Sequence, residues 1–217
     1  MSGKKRVPGR RGKKSDKVET RNMLLGRYLI VTDAEETEPN YFIGFRDSLT
    51  EEERRRISIR VKNTKDTKSL LTTAQNLSSK EAQYCSTWIV FDRDEVKNFD
   101  EIIVQASNQN IHAAWSNPCF EIWFHAYFGR TPLYDNSQQC WKDFYSLLSK
   151  KSGKDCGKNQ KNIFELLEQH GDLQKAITTA KKRHLQLKRE GRKPSESNSV
   201  TNVYELIEDI LDATEKI

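Results

Sequence analysis

Asp92 and Asp94 stand one residue apart directly behind the apolar run Trp88 to Phe91. A second group of acids, Asp33, Glu35, Glu36 and Glu38, follows another apolar run, Tyr28 to Val31. Carboxylates are costly to bury, so acids at the edge of a core strand are either solvated or kept for chemistry. A D-x-D spacing in an extended or tightly turning segment lets both carboxylates face one hard cation, and oxygen donors suit Mg²⁺ or Mn²⁺. Two such clusters about sixty residues apart suggest a shared metal site. Asp33 lies nearest its strand end and is expected to face the metal. Glu38, just before Pro39, could ligate a second ion or act as general base. The competing reading is structural: a solvated turn for Asp92 and Asp94, and helix-dipole stabilisation for Glu38. For Glu35 and Glu36 the structural reading is the better one.

The elements that must position these acids can be read from periodicity. Arg27 to Thr32 is expected as a strand, followed by a helix from Asn40 to about Leu49. Alternation over Ile57 to Val61 marks a second strand. A helix to about Gln83 follows, capped by Thr67 or Ser69. Thr87 to Phe91 forms a third strand, Glu95 to Ser107 a helix, and Ile111 to Trp115 a fourth strand. This β-α alternation predicts an α/β fold with a mostly parallel sheet of about four strands flanked by helices, whose ligands sit outside the carboxyl ends of the strands. Both acidic clusters lie at that end. Residues from about 118 to 217 read as a C-terminal helical cap belonging to the same 26–217 domain.

Composition limits the function classes. With 35% hydrophobic and 31% charged residues, no apolar stretch approaches the ~20 residues of a membrane span. The N-terminus is basic and lacks the apolar segment of a signal peptide, which suggests a cytoplasmic protein. Cys85, Cys119, Cys140 and Cys156 form no C-x-x-C pair and read as reduced thiols. The net charge of +6 divides unevenly: residues 1–27 hold ten Lys/Arg and two Asp/Glu, leaving 27 basic and 29 acidic residues in the rest. Residues 1–25 are therefore expected to be a basic disordered tail, suited either to nucleic-acid phosphates or to solubility alone.

Further candidates lie downstream. Asn117 and Glu121 could bind a substrate phosphate or a metal-bound water, and His125 falls one helical turn after Glu121. Lys154, Lys158 and Lys161 occupy a polar loop and could stabilise charge on a transferring phosphoryl group, with Lys158 taken as the catalytic choice. Lys181 to Arg183, with Lys188 and Arg189, is either a nucleic-acid-binding helix face or an ordinary solvated one.

Three motifs carry a family resemblance. Residues 29–42 (LIVTDAEETEPNYF), 91–95 (FDRDE) and 116–123 (SNPCFEIW) resemble the motifs of the RloB-like family, supported by the basic leader and by Ala176 to Lys181. That family resembles Toprim-fold nucleases. The resemblance implies a Toprim-like sheet, Mg²⁺ or Mn²⁺ held by Asp33, Glu38, Asp92 and Asp94, and hydrolysis of RNA, tRNA included, or of DNA. It further implies an anti-phage defence role beside an RloA-like ATPase partner; a homodimer is compatible with it. Asp33 and Ala34 stand where the family has Glu and Gly, so a second function stays open: a non-catalytic nucleic-acid- or ATPase-binding subunit on a degenerate site. A third reading takes I-V-F-D-R-D-E-V as the nucleophile motif of haloacid-dehalogenase-like phosphatases, although there it follows the first strand rather than the third.

Overall fold

The structure, a computed structural model, describes residues 26–64, 66–80, 86–94 and 96–215. The basic tail, Cys85 and Glu95 lie outside the described residues. Four strands run parallel and alternate with helices: β1 (Gly26–Thr32), α1 (Thr37–Ser48), α2 (Glu51–Arg56), β2 (Ile57–Asn63), α3 (Thr67–Lys80), β3 (Ser86–Asp92), α4 (Phe99–Asn108) and β4 (His112–Asn117). After these come α5 (Glu121–Tyr127), α6 (Ser137–Ser152), α7 (Ile163–His170), α8 (Leu173–Arg189), a 3-10 turn (Pro194–Glu196), β5 (Val200–Thr201) and α9 (Val203–Glu215). The sheet order is β2-β1-β3-β4-β5, with β5 antiparallel to β4. The fold is thus α/β with a five-stranded, mostly parallel sheet and a helical C-terminal half. Among the described residues no helix is long and apolar enough to cross a membrane.

Alternation along the strands splits the core in two. Tyr28, Ile30, Trp88 and Val90 pack toward α1, α5, α7 and α9. Leu29, Val31, Ile89 and Phe91 face the opposite side, toward α3 and α4. The first core is rich in aromatic rings, with Tyr41 of α1 edge-on to Phe42, Phe120 and Trp123. The phenols of Tyr41 and Tyr127 share a buried hydrogen bond of 2.8 Å, which ties α1 to α5.

Several boundaries differ from the sequence reading. α1 begins at Thr37, so Glu38 and Pro39 lie inside its first turn, where a Pro costs no hydrogen bond. α2 was not expected, because EEERRR has no apolar face. Its stability comes from a capping box between Thr50 and Glu53 and from i,i+4 pairs Glu51–Arg55 and Glu52–Arg56. The α3 cap is neither Thr67 nor Ser69: the Asp66 carboxylate accepts from the Ser69 amide at 2.8 Å. The helix expected from Glu95 starts at Phe99. β5 escaped the sequence reading because two residues carry no periodicity; Ser116 and Thr201, paired across β4 and β5, share a 3.0 Å hydroxyl contact.

Candidate active site

The strand alternation decides which way each acid points. Asp92 continues the Trp88–Val90 side and turns toward α1 and α5. Asp33 follows β1, its amide donating to the Val90 carbonyl at 3.3 Å. It continues the Leu29–Val31 side, and there its Oδ2 accepts from the Thr67 hydroxyl of α3 at 2.6 Å. Glu38 enters from the first turn of α1 and Glu121 from the first turn of α5. The four acids therefore lie toward the carboxyl ends of β1 and β3, the neighbouring strands between which the chain order of the sheet reverses.

Burial is extreme for such residues. Glu38 and Glu121 are each 2% exposed. Glu38 Oε2, Asp92 Oδ1 and Glu121 Oε1 are closed off from solvent and have no hydrogen-bond partner among the described residues. Burial first, then the Asp33 charge, push the Glu38 carboxyl up to about 8. Asp92 is driven well above the usual carboxylate range by burial and by the charges of Glu38, Asp33 and Glu121. Burial also raises Glu121, against the opposing influence of Cys119 and Lys158. Asp33 is pushed up to about 6 by burial, with the Thr67 hydrogen bond working in the other direction. Each shift favours the protonated carboxyl, chiefly because burial penalises the charged form.

Asp33, Glu38, Asp92 and Asp94 line one cleft of about 720 Å³, together with Lys68 and Lys97. Asp94 differs from the others. It is exposed, and its Oδ1 accepts from the Ser137 hydroxyl at 2.9 Å. The donor chemistry fits a hard divalent cation, since three buried carboxylate oxygens stand without partners. Among the described residues, however, no three His, Cys, Asp or Glu side chains are drawn together as a ready ligand group. Binding a cation would require these carboxylates to close inward.

The remaining candidates separate. Of the three loop lysines, Lys158 is the one whose charge acts on Glu38 and Glu121, and its ammonium lies 5.4 Å from the Trp141 ring centre. Lys154 is exposed, and Lys161 lines a different groove with Ile43, Asp47 and Phe164. Asn117 is an anchor: its Nδ2 donates to the Pro194 and Ser195 carbonyls at 3.0 and 3.4 Å. It also lines a second, polar cleft with Asp94. His125 does not join Glu121. It is fully buried at Tyr134 Oη (2.9 Å) and the Cys140 carbonyl (3.3 Å), and burial lowers its pKa to about 4.

Sequence reasoning missed Thr67, Lys68, Lys97 and Tyr145. Tyr145 of α6 is buried, and after burial the charges of Glu121 and Glu38 do most to raise its pKa. Nothing local in its sequence points there, because the contact depends on how α6 packs. The signal for Thr67 was available: a hydroxyl at a helix start facing a strand-end acid.

Comparison with protein families matches residues 28–210 to RloB, described as RloB-like protein. No curated protein and no solved structure matches the chain. The matched region contains every acid of the site and extends from β1 into α9, so the chain belongs to the RloB-like family.

Proposed function

We propose that this protein is a divalent-metal-dependent nuclease, hydrolysing phosphodiester bonds of RNA, tRNA included, or of DNA. The observation that carries the reading is the buried, unpartnered carboxylate set Glu38, Asp92 and Glu121 at the carboxyl edge of a parallel sheet. Three carboxylate oxygens buried without partners among the described residues cost stability, and a bound cation is the most direct compensation. Glu38, Asp92 and Glu121, with Asp33 and Asp94 at the rim, would hold Mg²⁺ or Mn²⁺. Such ions polarise the phosphoryl oxygen and ready a water for attack. The chain's own residues do the rest. Thr67 orients Asp33, the aromatic core fixes Glu38 against Glu121, and Lys158 offers positive charge from the cap side. Glu38, with its raised pKa, is suited to take up or hold a proton near neutral pH. By its family resemblance, the protein acts in the cytoplasm as an anti-phage effector with an RloA-like ATPase partner.

One observation favours a second reading, a nucleic-acid- or ATPase-binding subunit without catalysis: among the described residues the acids form no ready three-ligand group. The experiment that separates the two is incubation of the purified full chain with tRNA or plasmid DNA and Mg²⁺ or Mn²⁺. Cation-dependent cleavage, absent in Asp92→Ala, is expected. Wild type that binds nucleic acid and cleaves none under either metal would sink the nuclease reading.

A further inference from the structure

The acidic cleft cannot by itself attract a polyanion, so a nuclease of this design needs positive charge nearby. Residues 181–193 hold seven Lys/Arg and one Glu, on a chain whose residues 28–217 carry 27 basic and 29 acidic side chains. This positive island covers the C-terminal half of α8 and the residues leading to the 3-10 turn. Part of its charge is engaged: Lys181 pairs with Glu208 at 2.8 Å, and Arg192 with Glu190 at 3.4 Å. Lys182, Lys188 and Arg189 are exposed and enter no ion pair among the described residues. The exposed Arg192–Glu190 contact is worth little and is easily exchanged.

The island is linked to the site by hollows whose linings share a residue or take consecutive ones. Lys188, Arg192 and Pro194 line a cavity of about 300 Å³ that Glu205 also borders. Ser195, the next residue, lines the polar cleft of about 520 Å³ with Asn117 and Arg93 and with the acids Asp94, Asp135 and Glu196. Asp94 in turn belongs to the acidic cleft. The segment between them is held firmly. The Pro194 carbonyl accepts from Asn117, the Ser195 amide donates to Asp100 at 2.9 Å, and Arg183 donates to the Asn198 carbonyl at 3.3 Å.

We propose that the C-terminal half of α8 and the 194–196 turn are a docking track for the phosphate backbone of a polynucleotide, leading it past Asp94 into the acidic cleft. The proposal deepens the nuclease reading and rests on it. The track places attraction to one side of the carboxylates, so the strand is captured by Lys/Arg contacts several residues away from the position where it is cut. A lone mononucleotide would reach one hollow and gain little from the rest.

The test uses the full chain carrying Asp92→Ala, so that no turnover occurs, with labelled tRNA and a labelled DNA duplex titrated over a range of salt. Adding Lys188→Gln, Arg189→Gln and Arg192→Gln is expected to reduce the slope of log affinity against log salt by about 2–3, and to weaken binding about 100-fold near 0.15 M salt. An unchanged thermal midpoint shows that the triple variant is folded; should it unfold, Arg189→Glu alone replaces it. Unchanged slope and affinity overturn the track. If wild type still cleaves with Asp92 dependence in that case, the nuclease reading survives and only the track fails. A wild type that neither binds nor cleaves either nucleic acid overturns both.

Discussion

Asp92 and Asp94 are two positions apart, yet their surroundings are opposite. Asp92 turns inward with Glu38 and Glu121, and its Oδ1 has no partner. Asp94 lies exposed and is already bound by a serine hydroxyl. Asp33 falls between them, half-buried and satisfied on one oxygen by Thr67. The difference teaches that a D-x-D motif is not a symmetrical pair. Its first member ends a strand and inherits the strand's inward direction, whereas the second has left the ladder and belongs to the rim. The inner set is where unmet electrostatic demand is concentrated, and the outer set shapes access.

The strongest way to break this contrast is to neutralise one acid from each set. A metal clamp supplies several kcal/mol of transition-state stabilisation, so Glu121→Gln is expected to lower cation-dependent cleavage on the order of 1000-fold. Asp94→Asn should cost about 10-fold, as expected for a supporting group. Equal losses in single-turnover assays would erase the distinction.

Stability without added cation offers a second comparison. The folded Glu38 carboxyl, at about 8, lies above its ordinary 4.5, so folding favours its protonated form. Its contribution is full below about 4.5 and is lost as pH rises through about 8. The thermal midpoint of the cation-free protein should therefore fall across that window. Glu38→Gln should flatten the fall and raise the midpoint at the alkaline end, by about 2–4 °C for each kcal/mol of relieved repulsion. Calorimetry across the pH range checks it; a midpoint that rises toward pH 8 in the wild type contradicts the burial argument.

Thr67→Val is expected to be milder. It frees Asp33 without removing a charge, and loss of an orienting partner typically costs 10–100-fold in metal affinity or activity. A shift in the Mg²⁺ concentration needed for half-maximal cleavage is the readout. Ser137→Ala should be smallest, within about 0.5 kcal/mol in stability, because the contact with Asp94 is exposed. An effect on cleavage as large as that of Thr67→Val would move Asp94 into the inner set.

Much of this arrangement was legible in the chain because long apolar runs and strand alternation are local. YLIV and WIVF gave two central strands, and their ends gave the acids. What was not legible depended on packing at a distance. Glu121 read as a substrate contact, because only the approach of α5 to β3 shows that it shares the Asp92 environment. Choosing among Lys154, Lys158 and Lys161 was impossible from spacing, since a polar loop has no period. The short elements failed for a different reason: α2 is stabilised by side-chain pairs rather than an apolar face, and β5 by hydroxyl and backbone contacts over two residues.

The Tyr41–Tyr127 hydrogen bond acquires a meaning beyond core stability. One phenol belongs to the helix that carries Glu38 in its first turn and the other to the helix that begins with Glu121. The helices that carry these two carboxylates are thereby braced against each other within the aromatic core rather than through loops alone. If an ion binds between the two carboxylates, the rings that brace these helices, one less than a turn and the other nearly two turns from its carboxylate, would govern the size it can have.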